Sequence, residues 1–288
     1  MAKPENAANR FGWSAPGTNA ADTVFLLGSG LNANSWVPVI SAVREFYPHA
    51  DASTPEHANF VLAWWVYHQR TRALRMQKGM TEEERKRNED VATSDLGLRQ
   101  TIAASIRVAS DQRFFMIRRN ATAVLGDRKW GDTRFYLTTN WDRMLEADLG
   151  LPSSAVTHIH GEIEKPSCLY LPSETSTEPY RTDDANKHIA LLTGTAWQVL
   201  RDAKQVCIYG LSLSPLDAEL SAIVGVGLEP RDGPPLPVYV YNVREALDET
   251  VWRVRALTHP ESKVDIRAVV VEPEPDPVVP SGWDLRQE

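Results

Sequence analysis

The sequence predicts an α/β protein built on a parallel β-sheet. Short apolar runs recur along the chain, segments of helical periodicity separate most of them, and a polar or glycine-rich turn follows each run. Strands that alternate with helices imply crossover connections and parallel pairing. The clearest run is Thr23–Leu27 (TVFLL), which ends at Gly28 and has the unbroken apolar character of a strand buried on both faces. Further strands are expected at Arg134–Leu137, Ala155–His158, Gln205–Tyr209 and Pro237–Tyr241.

Between the strands, Ser35 is a candidate N-cap for a helix through about Phe46, with Val39, Val43 and Phe46 as apolar positions. Residues from about 55 to 125 read as helical, and a helical module inserted over about 50–125 is expected. Within it, Phe60, Val61, Trp64, Trp65 and Tyr67 form a dense apolar group, read as core more than interface because large aromatics dominate cores. The charged stretch Thr81–Asp90 is expected to separate helical segments, with a helical pair following at about 93–109 and 111–125. Residues 1–20 read as a loose arm, 21–271 as the main domain, and 272–288 as a Pro-rich acidic tail.

Composition narrows the function. The chain has 288 residues, 42% hydrophobic and 24% charged, which fits a globular domain carrying one inserted module. A net charge of −7 without a long basic run argues against wholesale nucleic-acid binding, which needs a basic face to displace counterions. The two cysteines, Cys168 and Cys207, cannot supply a four-cysteine zinc site, so no zinc is expected. No apolar run approaches the roughly 20 residues that span a bilayer. Met1–Arg10 is polar and lacks the apolar core of a secretory signal, so a cytoplasmic location is expected.

The candidate chemistry lies at the strand ends. Gly28-Ser29-Gly30-Leu31-Asn32-Ala33 follows a strand and precedes a helix. Glycines there let the backbone approach a pyrophosphate, although a tight strand-to-helix turn needs them equally. A dehydrogenase would place an acidic residue at the end of a second strand about 20 residues on, and Tyr47–Asp51 is no such strand. Thr138-Thr139-Asn140-Trp141-Asp142 follows the next strand; its Asn and Asp could hold a ligand or cap a helix. His158-Ile159-His160-Gly161 follows the third. His160 could act as a general base, and Gly161 could let a substrate pass close. A structural histidine or a metal pair are the alternatives, and two histidines on one strand face lack a third ligand. Gly210–Asp217 (GLSLSPLD) follows the fourth strand, and Asn242 ends the fifth.

The order and placement of these elements resemble the sirtuin superfamily over residues 22–34 and 133–245. Gly28-Ser29-Gly30 is similar to its first glycine loop, Thr138–Asp142 to its Thr-Gln-Asn-Ile-Asp motif with Thr139 and Trp141 departing, His160-Gly161 to its His-Gly, Gly210-Leu211-Ser212 to its Gly-Thr-Ser loop, and Asn242 to its ribose-binding asparagine. The resemblance implies a Rossmann-like core that binds NAD as a substrate. Gly28, Ser29, Gly30, Gly210 and Ser212 would surround the phosphates, with Asn32 in the same loop. Asn242 would hold the adenosine ribose, Asp142 the nicotinamide carboxamide, and Asn140 the nicotinamide ribose and a water. His160 would be the base, with Glu162 a weaker carboxylate candidate. The paired Cys-x-x-Cys motifs that build the deacylase zinc module are missing from the sequence. The chain therefore looks more like the sirtuin-like NAD hydrolases of bacterial anti-phage defence. That implies cleavage of NAD to nicotinamide and ADP-ribose, restrained by self-assembly or by a companion such as a HerA-type ATPase or a nucleotide-sensing subunit. A zinc-free deacylase, an ADP-ribosyltransferase and a non-catalytic nucleotide-binding subunit are the alternative readings.

Overall fold

The computed structural model describes residues 21–50, 52–76, 81–112 and 114–283. Six strands form one parallel sheet: β1 (Thr23–Leu27), β2 (Arg134–Thr138), β3 (Val156–His158), β4 (Gln205–Tyr209), β5 (Leu236–Asn242) and β6 (Val264–Val270), in the order β3-β2-β1-β4-β5-β6. This is the strand order of a Rossmann-like, doubly wound sheet, which reverses direction between β1 and β4. The predicted fold class is therefore the observed one. The strand at Val264–Val270 was not expected, because Asp265 and Arg267 break its apolar run; it lies at the sheet edge, half exposed, where such residues are tolerated.

After their first residues, Thr23 and Gln205, β1 and β4 are apolar at every position because both faces are covered. Val24 and Leu26 of β1 face one way, with Val206, Ile208, Val238 and Val240. They pack against α6 (Asp183–Asp202), α7 (Ala218–Gly227) and α8 (Arg244–Leu257) through Ala196, Val199, Ile223, Val224, Val251 and Val254. Phe25 and Leu27 face the other way with Cys207 and Tyr209, against Trp130 and against α4 (Arg119–Gly126) and α5 (Met144–Leu149). The two sides are the two outer layers of the fold.

A separate core lies beside the sheet, where α1 (Val37–Phe46) packs with α2 (Pro55–Met76), α3 (Glu82–Ser110) and the segment 163–171. Several expectations change here. Ser35 does not cap α1; Trp36 occupies the N-cap position, no side chain caps it, and Pro38 supplies the helix-starting φ. The backbone of 82–90 is helical and continuous with the rest of α3, because Glu, Arg and Lys are strong helix formers even without an apolar face. In place of a helix over 111–125 there is an irregular segment and then α4, which packs on the sheet and not on the insert. The aromatic group divides: Trp65 is buried and donates its indole N–H to Asp95 at 2.9 Å, whereas Phe60, Trp64 and Tyr67 are exposed.

The expected C-terminal tail runs along the protein as far as Trp283. Glu274 accepts from the backbone N–H groups of Arg119 (3.1 Å) and Asn120 (2.5 Å), capping α4 from outside, and Asp276 pairs with Arg118 at 2.5 Å. Pro277 O accepts from Asn34, and Trp283 packs on Phe114. The arm at 1–20 and residues 284–288 lie outside the described residues.

A buried charge network locks the insert to the segment after β3. Arg99 of α3 bonds Asp95 (2.8 Å) and the fully buried Glu174 (2.6 Å), and also donates to Leu169 O. Glu174 also accepts from Arg181, from Tyr180 Oη at 2.5 Å and from Leu171 N. Burial alone would raise its carboxyl, but Arg99 and Arg181 outweigh burial and hold it below the usual range. Arg70 of α2 grips Glu178 in the same loop at 2.6 Å. Glu174→Ala would leave the buried Arg181 guanidinium without a carboxylate and Arg99 with Asp95 alone, so a loss of about 3–5 kcal/mol is expected in urea denaturation; a loss below about 1 kcal/mol, the level of a surface pair, would show the network to be dispensable.

Candidate functional site

An open cleft of about 920 Å³, counting its solvent-facing mouth, lies at the carboxyl ends of β1, β2, β3 and β4. This is the switch-point crevice in which doubly wound sheets bind ligands. Six of the predicted site residues line it: Ser29, Asn140, Asp142, His160, Gly210 and Ser212. Gly28, Gly30, Asn32 and Asn242 do not line it but hold the walls in place.

The glycines do so by contact. A Cβ on Gly28 would sit 2.6 Å from Gly210 O, and one on Gly30 would sit 2.7 Å from the Gly210 Cα. Gly210 has φ +62°, a value that favours glycine, and its own Cβ would meet the Gly30 backbone at 2.7 Å. Gly30 N–H donates to Gly210 O at 3.0 Å, so this amide is committed to joining the β1 and β4 loops and not to a phosphate. A 3-10 turn at Ser29–Leu31 follows β1, and α1 begins only at Val37, with Ser35, Trp36 and Val39 on the cleft wall. No Lys or Arg is among the described lining residues; the donors there include the hydroxyls of Ser29, Ser35, Ser212 and Ser214.

Asn32 and Asn242 are internal struts. Asn32 is buried and donates to Asp142 Oδ2 at 3.0 Å. Asn242 donates from Nδ2 to Leu211 O (3.1 Å) and Thr250 Oγ1 (3.0 Å), and its Oδ1 accepts from Val243 N (2.9 Å). It thus fixes the Gly210-Leu211-Ser212 loop from behind. It is not among the residues that line the cleft.

Asp142 is among the residues lining the cleft; its buried carboxylate accepts from Asn32 Nδ2 at 3.0 Å and from Met144 N at 3.0 Å, capping the turn into α5. Burial raises its carboxyl above the usual range. Beside it, Asn140 donates its backbone N–H to Thr138 Oγ1 at 3.1 Å, while its side-chain Nδ2 is buried with no protein partner. A buried, unpaired amide on a cleft wall is a donor in want of a ligand oxygen.

The two histidines diverge, because β3 ends at His158 and strand alternation does not reach His160. His158 is buried between Asn140 O (Nδ1, 2.8 Å) and Glu146 (Nε2, 3.1 Å), which makes it a structural bracket between β3, the β2 loop and α5. His160 lines the cleft, its ring stacked on Tyr170 at 4.8 Å with 14° between the planes. Its Nε2 lies 3.3 Å from Asp217 Oδ2. No hydrogen bond joins them, so the contact is one of proximity between imidazole and carboxylate. Asp217 also caps α7 through Leu220 N at 3.1 Å, which fixes its position. Among the described residues, no group of three or more His, Cys, Asp or Glu is placed to hold a metal ion.

Gly161 is needed for the chain itself. Its φ is +77°, and a Cβ would fall 2.2 Å from Cys168 O, so the close neighbour is the following loop and not a substrate. Glu162 is half exposed, 3.8 Å from Arg143, and absent from the lining, as a solvent-facing loop residue should be. Sequence reasoning missed the pairing of Asp217 with His160. Asp217 was visible only as the end of a turn, and 57 residues separate it from the histidine, counting from the two positions.

No protein-family model, curated protein or solved structure matches this chain.

The His158–Glu146 pair sets a pH signature. Among the influences on His158, burial is the largest and lowers its pKa, but Glu146 and the Asn140 carbonyl together raise it above the ordinary 6.5. Glu146 is held below 4.5, its burial outweighed chiefly by His158. A raised histidine contributes stability below its unfolded pKa and loses it as pH rises through the folded value; a lowered glutamate contributes above its unfolded pKa. The pair is therefore strongest between about pH 4.5 and 6.5. The destabilisation caused by His158→Gln, measured as a shift in urea midpoint, is expected to be larger at pH 6 than at pH 9. Equal shifts at both would remove the charged pair from the account.

Proposed function

We propose that this protein hydrolyses NAD at the nicotinamide–ribose bond, with His160 as general base. The observation that carries the reading is the convergence of His160, Asn140 and Asp142 on one switch-point cleft that Ser29, Gly210 and Ser212 also line. His160 has a carboxylate against its Nε2 and a tyrosine ring against its face, an environment that orients a base.

In the reaction, the bond between ribose C1′ and the pyridinium nitrogen breaks. Its electron pair neutralises the ring nitrogen, and nicotinamide leaves. The ribose gains oxocarbenium character, water adds to C1′, and the water's proton passes to His160 directly or through a ribose hydroxyl. ADP-ribose and a proton are the remaining products. Asn140 Nδ2 is the donor available to a ribose hydroxyl or to the water, and Asp142 can accept from the carboxamide N–H. Asp217 would stabilise the imidazolium as it forms. The phosphates would meet serine hydroxyls rather than fixed cations, so weak ground-state affinity is expected. Gly28 and Gly30 serve the site by letting the two loops meet, and Asn32 and Asn242 by holding Asp142 and Leu211. On this reading the resemblance to sirtuin-like defence hydrolases extends to the activity, with restraint supplied by assembly or a companion protein.

The test is chromatographic. The parent chain should convert NAD to nicotinamide and ADP-ribose in equal amounts. His160→Ala should lower the rate by about 100-fold or more, the usual worth of a general base, while the chain stays folded as read by circular dichroism. Wild-type turnover by that variant would refute the mechanism. Binding of NAD by the parent without cleavage would favour a non-catalytic nucleotide-binding subunit instead.

Asp217→Asn keeps the α7 cap, since Asn caps as well as Asp, and removes the charge beside His160. A fall in kcat of at least about 10-fold with KM little changed is expected, since the interaction strengthens only as the imidazole takes the proton. An unaltered pH–rate profile in that variant would count against the pairing.

A further inference from the structure

The segment after β6 has almost no regular structure of its own, only a closing 3-10 turn at Ser281–Trp283, yet it is fastened at three places. The first is ionic. The Glu274 carboxylate accepts from two N–H groups at the start of α4, where the helix dipole favours an anion. Arg118 donates to Glu274 O at 3.1 Å and pairs with Asp276, and Asn120 Nδ2 donates to Glu272 O at 2.8 Å. The second is Asn34, whose φ of +54° is left-handed; its Nδ2 donates to Phe114 O and to Pro277 O, each at 3.0 Å. The third is apolar. Val279 and Trp283 pack on the cluster of Ala109, Phe114 and Phe115, with the Trp283 and Phe114 rings 5.7 Å apart.

What this segment grips also shapes the cleft. Phe115 lines the cleft and belongs to the cluster under Val279 and Trp283. Ser35 and Trp36, which follow Asn34, line it too. Between these points, residues 116–118 pair with the loop after β1: Ala33 N–H donates to Met116 O at 2.8 Å, and Arg118 N–H to Leu31 O at 3.0 Å. Asn32, within that loop, donates to Asp142. Contacts therefore run unbroken from Trp283 and Glu274 to the cleft wall. We propose that residues 272–283 are a strap that sets this wall. Fastened, the strap holds Phe115 and the loop at 31–36 in the binding geometry; released at either end, it lets the wall open. Phe114 and Phe115 are 3% and 2% exposed, so release uncovers apolar surface and the fastened state is favoured. The strap acts through other residues and does not itself line the cleft.

Amide hydrogen exchange of the full chain reads this coupling without any nucleotide. Trp283→Ala should speed exchange at the Ala33 and Arg118 amides by about tenfold or more, as a local opening does, while the amides of β5 keep their parent rates. Trp283→Phe, which keeps a ring on Phe114, should restore the parent rates. Glu274→Ala works at the other end of the strap and should speed exchange at Ala33 as well. A kinetic measurement rests on the hydrolase reading of the cleft: Trp283→Ala should raise the KM for NAD by about threefold or more with kcat little changed, because binding loosens and the base stays in place. Exchange is measured without turnover, so a failure of the strap and a failure of the NAD reading give different results. Parent rates at Ala33 and Arg118 in Trp283→Ala overturn the proposal. Equal acceleration in β5 overturns it too, since the effect is then one of global stability. So does an unchanged KM in a chain that turns NAD over.

Discussion

Gly30 and Gly210 lie so close that neither could carry a side chain, and the remaining geometry of the cleft follows from that contact. β1 and β4 are neighbours at the point where the sheet reverses its winding, so their carboxyl-end loops leave in different directions and open a crevice. The crevice would splay wide if the loops did not touch. The Gly30 amide bonded to Gly210 O closes its floor, and Asn242 and Thr250 hold Leu211 O from below. The lining that remains brings serines and backbone together with Asn140, Asp142 and His160. The glycine-rich signature here describes two loops packed on each other before it describes anything about a ligand.

The helical insert contributes through the buried ion network. Arg99, Glu174 and Arg181 fix the segment that follows β3, and Tyr170 within it donates to Glu174 O while its ring lies flat on His160. The position of the candidate base is thus set from two sides, by Asp217 on the β4 loop and by a tyrosine that the insert holds in place. A module that reads as an accessory in the sequence is structurally part of the site. Its own exposed face, on α2, leaves the cleft free.

The strands were legible because strands buried on both faces are apolar throughout, and TVFLL or QVCIY admits few other readings. β6 escaped because an edge strand tolerates Asp265 and Arg267, which erase the pattern. The length of α3 escaped because a solvated helical turn and a charged linker have the same composition. At the site, residue types at strand ends were enough to collect Asn140, Asp142 and His160, since topology alone brings strand ends together. Roles were less legible. Asn242 and Gly161 carry the expected residue types, yet both serve packing, which depends on Leu211 and Cys168 arriving from other loops. The docking of Glu274 on the first turn of α4 was equally invisible, because an acidic, proline-rich segment has the same look free or bound.

The pairing of β1 has a further consequence, for the order in which the chain can assemble. Thr23 pairs with Arg134 on one side and with Gln205 on the other, so β1 is made before either neighbour and waits longer than any other strand for its second partner. While a ribosome makes the following 180 or so residues, TVFLL has no native partner on its β4 side, and its apolar faces and open edge are available to the wrong neighbours. The α1–α3 core, whose contacts are more local in sequence, can form in that interval. On that schedule, nascent chains would carry a folded insert beside an unpaired central strand, and the ribosome-bound intermediate, more than the finished protein, is the species that needs a chaperone.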